Sequence, residues 1–347
     1  MTIRYTIRPF GPDIEAAYER LFPHSGAEKT ARQLSWRFES NPHGPGLFAV
    51  AQADRPDDSI IGMIALVATR LNIGESLVPA YQAIDTVVDP AYRGRGVFVG
   101  LGKVAQDAAL HGGRILWGFP NANAAPGWFG RLGWTNLGTV PFMVRPLRTG
   151  YFLRKLHPAL GKVDLSLIGV RRVARAMHHD IERFDHGADD LWQTSRTPAG
   201  VAVERSSDWL NWRLIDKPGT AYRNVALRDD TDRLEAFVST CVLDKHGGRI
   251  CYVMEAMSAP SATLGLARLL RDEVAEAAHQ GADAALAWCP KFAPNRAAYR
   301  RAGFLPLPER LRPVAINFGA RRLADEIAPE VEDVSQWYVS YLDSDTV

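Results

Sequence analysis

The alternation of apolar and polar residues changes period along the chain, and the changes predict strands followed by a helix, twice over. Apolar runs at Leu47 to Ala53, Ile60 to Leu71 and Val78 to Val88 predict three consecutive strands, the first two separated by the turn-rich Asp54-Arg55-Pro56-Asp57-Asp58. The spacing then becomes helical. Val97, Leu101, Val104, Ala105 and Ala108 recur on one face until His111-Gly112-Gly113 stops them, and Arg114 to Phe119 resumes a strand. Later, Leu266, Leu269, Leu270, Val274 and Ala277 predict a second such helix, closed near Gly281 and followed by a strand over Ala284 to Cys289. Each stretch is α/β, a central mixed sheet flanked by helices.

The likeness between the two stretches extends to individual residues. Leu34-Ser35-Trp36-Arg37 followed by Pro42 recurs as Leu210-Asn211-Trp212-Arg213 followed by Pro218, an offset of 176. Phe129-Gly130-Arg131-Leu132-Gly133-Trp134 recurs as Tyr299-Arg300-Arg301-Ala302-Gly303-Phe304, an offset of 170. Trp117 and Trp288 each close the strand before these segments, and Pro141-Phe142-Met143-Val144 has a counterpart in Pro313-Val314-Ala315-Ile316. A period of about 170 residues is too long for a solenoid unit and fits a whole domain. The expected organisation is an N-terminal domain over 1–147, a basic linker over 148–180 and a C-terminal domain over 181–347. Trp36 and Trp212 are expected in the cores of their copies, with a substrate wall as the other reading.

Composition narrows the function classes. The chain has 347 residues, 46% of them hydrophobic and 23% charged, and its 41 Lys+Arg against 39 Asp+Glu leave a net +2 with no electrostatic case for a nucleic-acid partner. No apolar run reaches the length of about 18 residues that a membrane helix needs, and Met1-Thr2-Ile3-Arg4-Tyr5 has no apolar signal core behind its charge. A cytoplasmic protein without an integral membrane segment is expected. Cys241, Cys251 and Cys289 fit neither a disulfide framework nor a zinc site and read as small buried residues, and none of the 9 histidines stands at metal-ligand spacing. The linker carries Arg148, Arg154, Lys155, Lys162, Arg171, Arg172 and Arg175 beside Asp164. It reads as a solvated helical face, or else as a contact for a phosphorylated ligand or an anionic lipid surface.

The segment richest in chemistry is Val87-Val88-Asp89-Pro90-Ala91-Tyr92-Arg93-Gly94-Arg95-Gly96-Val97, which joins a strand directly to a helix. Its glycines let backbone approach a ligand, and the amides of a helix N-terminus favour phosphate. Arg93-Gly94-Arg95-Gly96 in this setting resembles the acyl-CoA pyrophosphate loop of the GNAT superfamily of N-acyltransferases. Trp117-Gly118-Phe119-Pro120-Asn121-Ala122-Asn123 followed by Phe129 to Trp134 resembles the next strand and helix of that fold. The second copy is similar in its order of elements and in Asn295, Tyr299, Gly303 and Phe304, so the chain resembles a tandem GNAT protein. Two departures stand out. Phe98 occupies a position where the family commonly has Gly or Ala, and Thr263-Leu264-Gly265-Leu266 stands opposite the Arg93 to Gly96 turn, without its charges. One acyl-CoA site is therefore expected, in the N-terminal copy, with the other copy serving shape, substrate walls or homodimerisation.

The resemblance implies acetyl-CoA as cosubstrate, a small-molecule primary amine as acceptor (amino sugars by analogy) and no metal. Backbone amides near Val87 and Val88 would pair with the pantetheine and polarise the acyl carbonyl, and Arg93, Gly94, Arg95, Gly96 and Val97 would hold the pyrophosphate. Asp85 is the first candidate for the base or amine-orienting group, because a carboxylate in an otherwise apolar strand is costly unless used or paired. Glu255 lies opposite it at offset 170, so both acids could instead be hydrogen-bonded structural groups. Gln82 is the rival, on the other face of a regular strand, and a bulge would change which of the two faces the substrate. The family's usual tyrosine acid is replaced here by Phe129, while Tyr299 stands at that place in the second copy. Tyr81, Asn121, Asn123 or water could assist a thiol leaving group whose reference pKa is about 8.5. Asn121 and Asn123 also read as ligand-positioning or turn residues. No nucleophile constellation is visible, so direct attack in a ternary complex is expected. The alternatives are transfer of a long acyl chain and non-catalytic acyl-CoA binding.

Overall fold

In the computed structural model, which describes residues 2–22, 29–54, 59–167, 178–196 and 200–345, the chain begins with β1 (Ile3–Pro9), α1 (Pro12–Leu21) and α2 (Ala31–Phe38). It continues through β2 (Leu47–Ala53), β3 (Ile60–Ile73), β4 (Ser76–Val88), α3 (Val97–Gly112), β5 (Ile115–Gly118), α4 (Ala125–Gly130), β6 (Thr135–Thr139) and β7 (Phe142–Pro146). After α5 (Thr149–Leu156) and β8 (His179–Asp180) come α6 (His186–Ser195), β9 (Val201–Val203), α7 (Ser207–Leu214), β10 (Arg223–Arg228), β11 (Leu234–Lys245) and β12 (Gly248–Ser258). The succession closes with α8 (Thr263–His279), β13 (Ala284–Trp288), α9 (Arg296–Arg301), β14 (Leu305–Leu307), β15 (Asn317–Arg322) and β16 (Trp337–Tyr338).

Two mixed sheets have the same strand order. Along its main path one runs β1-β2-β3-β4-β5-β15-β6, and the other runs β8-β10-β11-β12-β13-β7-β14. The sixth place in each is filled by a strand from the other half of the sequence: β15 lies antiparallel between β5 and β6, and β7 antiparallel between β13 and β14. The chain accordingly divides into a first unit of 1–139, 217–219 and 316–336, and a second of 140–216, 220–315 and 337–347. This differs from a consecutive division at residue 147, because Phe142 to Pro146 pairs in the second sheet and Asn317 to Arg322 in the first. In the linker, Arg148 bridges Ser166 and its Nε donates to Asp164 Oδ2 at 2.9 Å. Arg171, Arg172 and Arg175 lie outside the described residues.

In the first unit, α3 buries Val97, Leu101, Ala105 and Ala109 against Ala49, Ala51, Ile64, Leu66 and Leu116, which share one face of the sheet by alternation. Each large apolar side chain so buried contributes about 1.5–3 kcal/mol. The opposite face carries an aromatic cluster in which Phe48 lies 4.6 Å from Phe38 and 6.2 Å from Tyr18, ring centre to ring centre. It is roofed by α1 and α2, and a reciprocal capping box between Thr30 and Gln33 starts α2. Trp36 and Trp212 are both buried, at 6% and 7% exposure, as core residues of their copies. The three cysteines are buried free thiols.

Candidate functional site

The β3–β4 hairpin is regular from its turn to Ile84, which pairs with Ala65; the next pair is Val87 with Met63, so β4 carries one residue more than its partner. This is a β-bulge, and Asp85 within it adopts φ +48°, a conformation that costs a non-glycine residue about 1–3 kcal/mol. The bulge changes which side chains share a face. Tyr81 packs on the α3 side, where a Cβ added to Gly112 would meet its hydroxyl at 3.0 Å, and Gln82 alternates onto the α1–α2 side. A regular strand would return Asp85 to the side of Tyr81. Instead its carboxylate meets Tyr18 of α1 and Arg37 of α2, so Gln82 and Asp85 lie on one face.

Tyr18 Oη donates to Asp85 Oδ2 at 2.8 Å, Lys29 Nζ is bonded to Oδ1, and Arg37 stands 3.8 Å from Oδ2. Two cations and a phenol thus take up the carboxylate's oxygens. Burial pushes the Tyr81 hydroxyl above its ordinary pKa, which makes it a poorer acid.

At the bulge the parallel strands also part. β4 pairs with β5 at Tyr81–Leu116 and Gln82–Trp117, and no further pair follows among the described residues. The Trp117 indole is fixed by a 3.0 Å hydrogen bond to Thr69 Oγ1. Residues 81–89 of β4 and its extension are all half-buried, leaving a partly open strand edge beside the split. The split leads to the Arg93–Gly96 turn. Asp89 caps the preceding turn through Ala91 N, and Gly94 and Gly96 have φ of +76° and +78°. An added Cβ at either glycine would meet nothing within 4 Å, so the backbone there is open to a ligand. Gly96 is the N-cap of α3 and supplies no side-chain cap, which leaves the first amides of the helix without an intrahelical or capping partner. Exposed Arg93 and Arg95 flank them, with Arg93 Nε held on Val88 O at 3.1 Å and Arg95 lying 5.7 Å from the centre of the Tyr92 ring. A cationic turn with open amides suits a pyrophosphate. Phe98 stacks edge-on against Trp128 at 5.4 Å, and Gly127 makes room for its ring, so the bulky residue at this position points into the core.

The second copy builds the same region differently. α8 begins at Thr263, so the positions opposite Arg93 to Gly96 form its first turn, and Gly265 serves close packing, since its added Cβ would fall 2.4 Å from Leu227. Residues 251–257 of β12 are all buried. Asn295 Nδ2 donates to Ala256 O at 2.7 Å and to Tyr338 Oη at 3.1 Å, bridging the strand edge where the first copy stays open. A cavity of about 260 Å³ remains, walled by Trp192, Met257, Pro260, Pro294 and Tyr338 among others. Glu255 sits in a closed network: Arg205 Nε donates to it at 2.8 Å, Ser340 Oγ at 3.0 Å, Tyr338 Oη also bonds it, and Arg205 reaches Asp343 at 2.7 Å.

Of the other sequence candidates, Asn121 forms an Asx turn, its Oδ1 accepting from the amides of Asn123 and Ala124 at 3.0 Å, and both asparagines are exposed. Phe129 packs against Gly319 of β15. Tyr299 is a core ring, 5.2 Å from Phe304, and burial drives its hydroxyl well above the usual range. Sequence reasoning missed Tyr18, Lys29 and Arg37 as partners of Asp85. The signal existed for Lys29: Arg205, which pairs with Glu255, stands 176 residues further on, the offset already set by Trp36 and Trp212.

No family model matches the chain, and no curated protein matches it. Solved structures do. A GCN5-related N-acetyltransferase from Anabaena variabilis ATCC 29413 superposes with a TM-score of 0.62 at 12% identity, over 92% of this chain and 73% of that one. A probable N-acyltransferase from Enterococcus faecalis V583 gives 0.61 at 13% identity, over 92% and 72%. N-myristoyltransferase of Saccharomyces cerevisiae with bound myristoyl-CoA gives 0.59 at 11%, over 92% and 79%. The chain thus has the GNAT fold, in two copies. No helix among the described residues is long and apolar enough to cross a membrane.

Proposed function

We propose that the chain is an acyl-CoA-dependent N-acyltransferase with one active site, in the N-terminal copy. The observation that carries this reading is the pairing of an open β4–β5 split with the cationic Arg93–Gly96 turn; in the second copy the strands part likewise after Val253, but the turn is lost and Asn295 bridges the strand edge. The turn and the α3 amides hold the pyrophosphate; backbone near Val87 and Val88 lines the pantetheine and polarises the acyl carbonyl. A primary amine that has given its ammonium proton to water attacks the carbonyl carbon in a ternary complex, the N–C bond forms, the C–S bond breaks, the remaining excess N–H proton passes through water to the sulfur, and CoA leaves as the thiol. Asp85, facing Tyr18, Lys29 and Arg37 on one side of β4, is the first acceptor contact. Gln82, on the same face, is the second acceptor contact. Acetyl is the simplest donor group, amino sugars lead among acceptors by analogy, and the reaction is placed in the cytoplasm. A long acyl chain is the second reading, favoured by the likeness to N-myristoyltransferase.

Calorimetry with acetyl-CoA tests the site. One mole should bind per chain, and Gly96→Asp should abolish binding by setting a carboxylate against the pyrophosphate on a strained backbone. Two sites per chain would overturn the one-site reading, and no binding of any acyl-CoA would overturn the activity. A series from acetyl-CoA to myristoyl-CoA decides between the donors.

A further inference from the structure

The Lys29 ammonium is held in a manner suited to an organic cation. It is bonded to Asp85, lies 4.7 Å from the centre of the Phe22 ring and 5.2 Å from that of Tyr18, and Tyr18 also donates to the same carboxylate. A carboxylate with two aromatic faces is an ammonium cage. Arg37, at 3.8 Å from Asp85, is the other charge facing it, so the cage holds its cation by a shared rather than an undivided negative charge.

The second copy shows what the same pair looks like as a fixed structural element. Arg205 stands where Lys29 does and Glu255 where Asp85 does, but Arg205 also bonds Asp343, Ser340 and the Val203 carbonyl, and the side chains of both partners are 0% exposed. Lys29 and Asp85 are 18% and 15% exposed. A guanidinium locks by a fan of donors, whereas a lysine ammonium on a flexible stem is a point charge that another ammonium can replace. Backbone strain separates the copies as well: Asp85 has φ +48°, and Glu255 is not among the residues with positive φ.

We propose that this cage is the station of the acceptor's ammonium group and that Lys29 is its resident occupant, displaced when a primary alkylammonium enters. The word acceptor rests on the acyltransferase reading; ammonium binding rests on the cage alone. The occupant defines the class. An amine on a flexible alkyl stem, as Lys29's own is, fits ahead of an amino sugar, and Lys29 competes with it until it is displaced.

The probe is n-butylammonium chloride on the full-length chain. In Lys29→Ala it should raise Tm by about 3 °C at tenfold its Kd, and in wild type, where Lys29 competes, by clearly less, while sodium chloride at equal concentration and n-butylammonium on the Lys29→Ala/Asp85→Asn double variant give no such rise. An equal effect on all of them, or none, overturns the cage. Should Lys29→Ala not fold, Lys29→Gln keeps the stem without the charge: calorimetry should then find n-butylammonium bound at least threefold more tightly than by wild type, and equal or weaker binding overturns the proposal. Acetyl-CoA calorimetry is run separately. Ammonium binding without acetyl-CoA binding would keep the cage and sink the acyltransferase reading; acetyl-CoA binding without ammonium binding would do the reverse.

Discussion

Arg205 is a fully buried guanidinium whose partners Glu255 and Asp343 are buried with it. Removing the cation leaves buried carboxyl groups uncompensated, so Arg205→Met should cost about 3–5 kcal/mol in urea unfolding. Lys29→Met breaks the matching pair where water already reaches it and should cost about 1 kcal/mol or less. Equal losses would mean that the two pairs do the same job. Asp343 adds a pH dependence. Burial raises its carboxyl above the ordinary 3.8, against the charge and hydrogen bond of Arg205. The folded state therefore keeps this proton to higher pH than the unfolded chain. The stability it lends is complete below about 3.8 and is lost as pH rises through the folded value. Stability measured by denaturation over that rise should fall in wild type relative to Asp343→Asn; parallel curves would sink the assignment. None of this network is legible from pattern alone. A cation before a helix reads as solvated charge until packing brings a carboxylate strand against it, although the offset shared by Lys29 and Arg205 marks the pair.

Among the elements, those fixed by local periodicity lie close to where the sequence places them: β2 spans Leu47 to Ala53 as its apolar run does, and α3 ends at the Gly112-Gly113 pair. The bulge at Asp85 is hidden, because it is a property of the register between two strands and β4 alone gives no sign of it. The start of α8 is legible in part. Loss of the glycines and arginines opposite Arg93 to Gly96 removes the turn, and the structure adds that those residues join the helix. This difference can be transplanted. Replacing Arg93-Gly94-Arg95-Gly96 by Thr-Leu-Gly-Leu should lengthen α3 by about one turn, seen as added helical signal in circular dichroism, and abolish acetyl-CoA binding while the chain still melts cooperatively. Retained binding would show that the turn is dispensable and that the split alone holds the cosubstrate.

For the molecule as a whole, the exchanged strands decide whether a copy can stand alone. Alternation reports which face of a strand is buried but not which sheet it joins, so the likeness of Pro141 to Val144 and Pro313 to Ile316 leaves their partners unknown; the strands that form are Phe142–Pro146 and, just beyond the second segment, Asn317–Arg322. In the structure β15 brings Phe318 and Ala320, at 2% and 0% exposure, into the first sheet and pairs Gly319 to Arg322 with Gly118 to Ile115. A fragment of residues 1–147 holds every candidate site residue yet lacks that strand, which leaves the edges of β5 and β6 unpaired and an apolar surface uncovered. It should therefore show no cooperative melt and bind no acetyl-CoA, and mixing it with residues 148–347 should restore both. A fragment that melted cooperatively by itself would show that the exchange is dispensable. The two copies would then be independent domains, joined by sequence more than by structure.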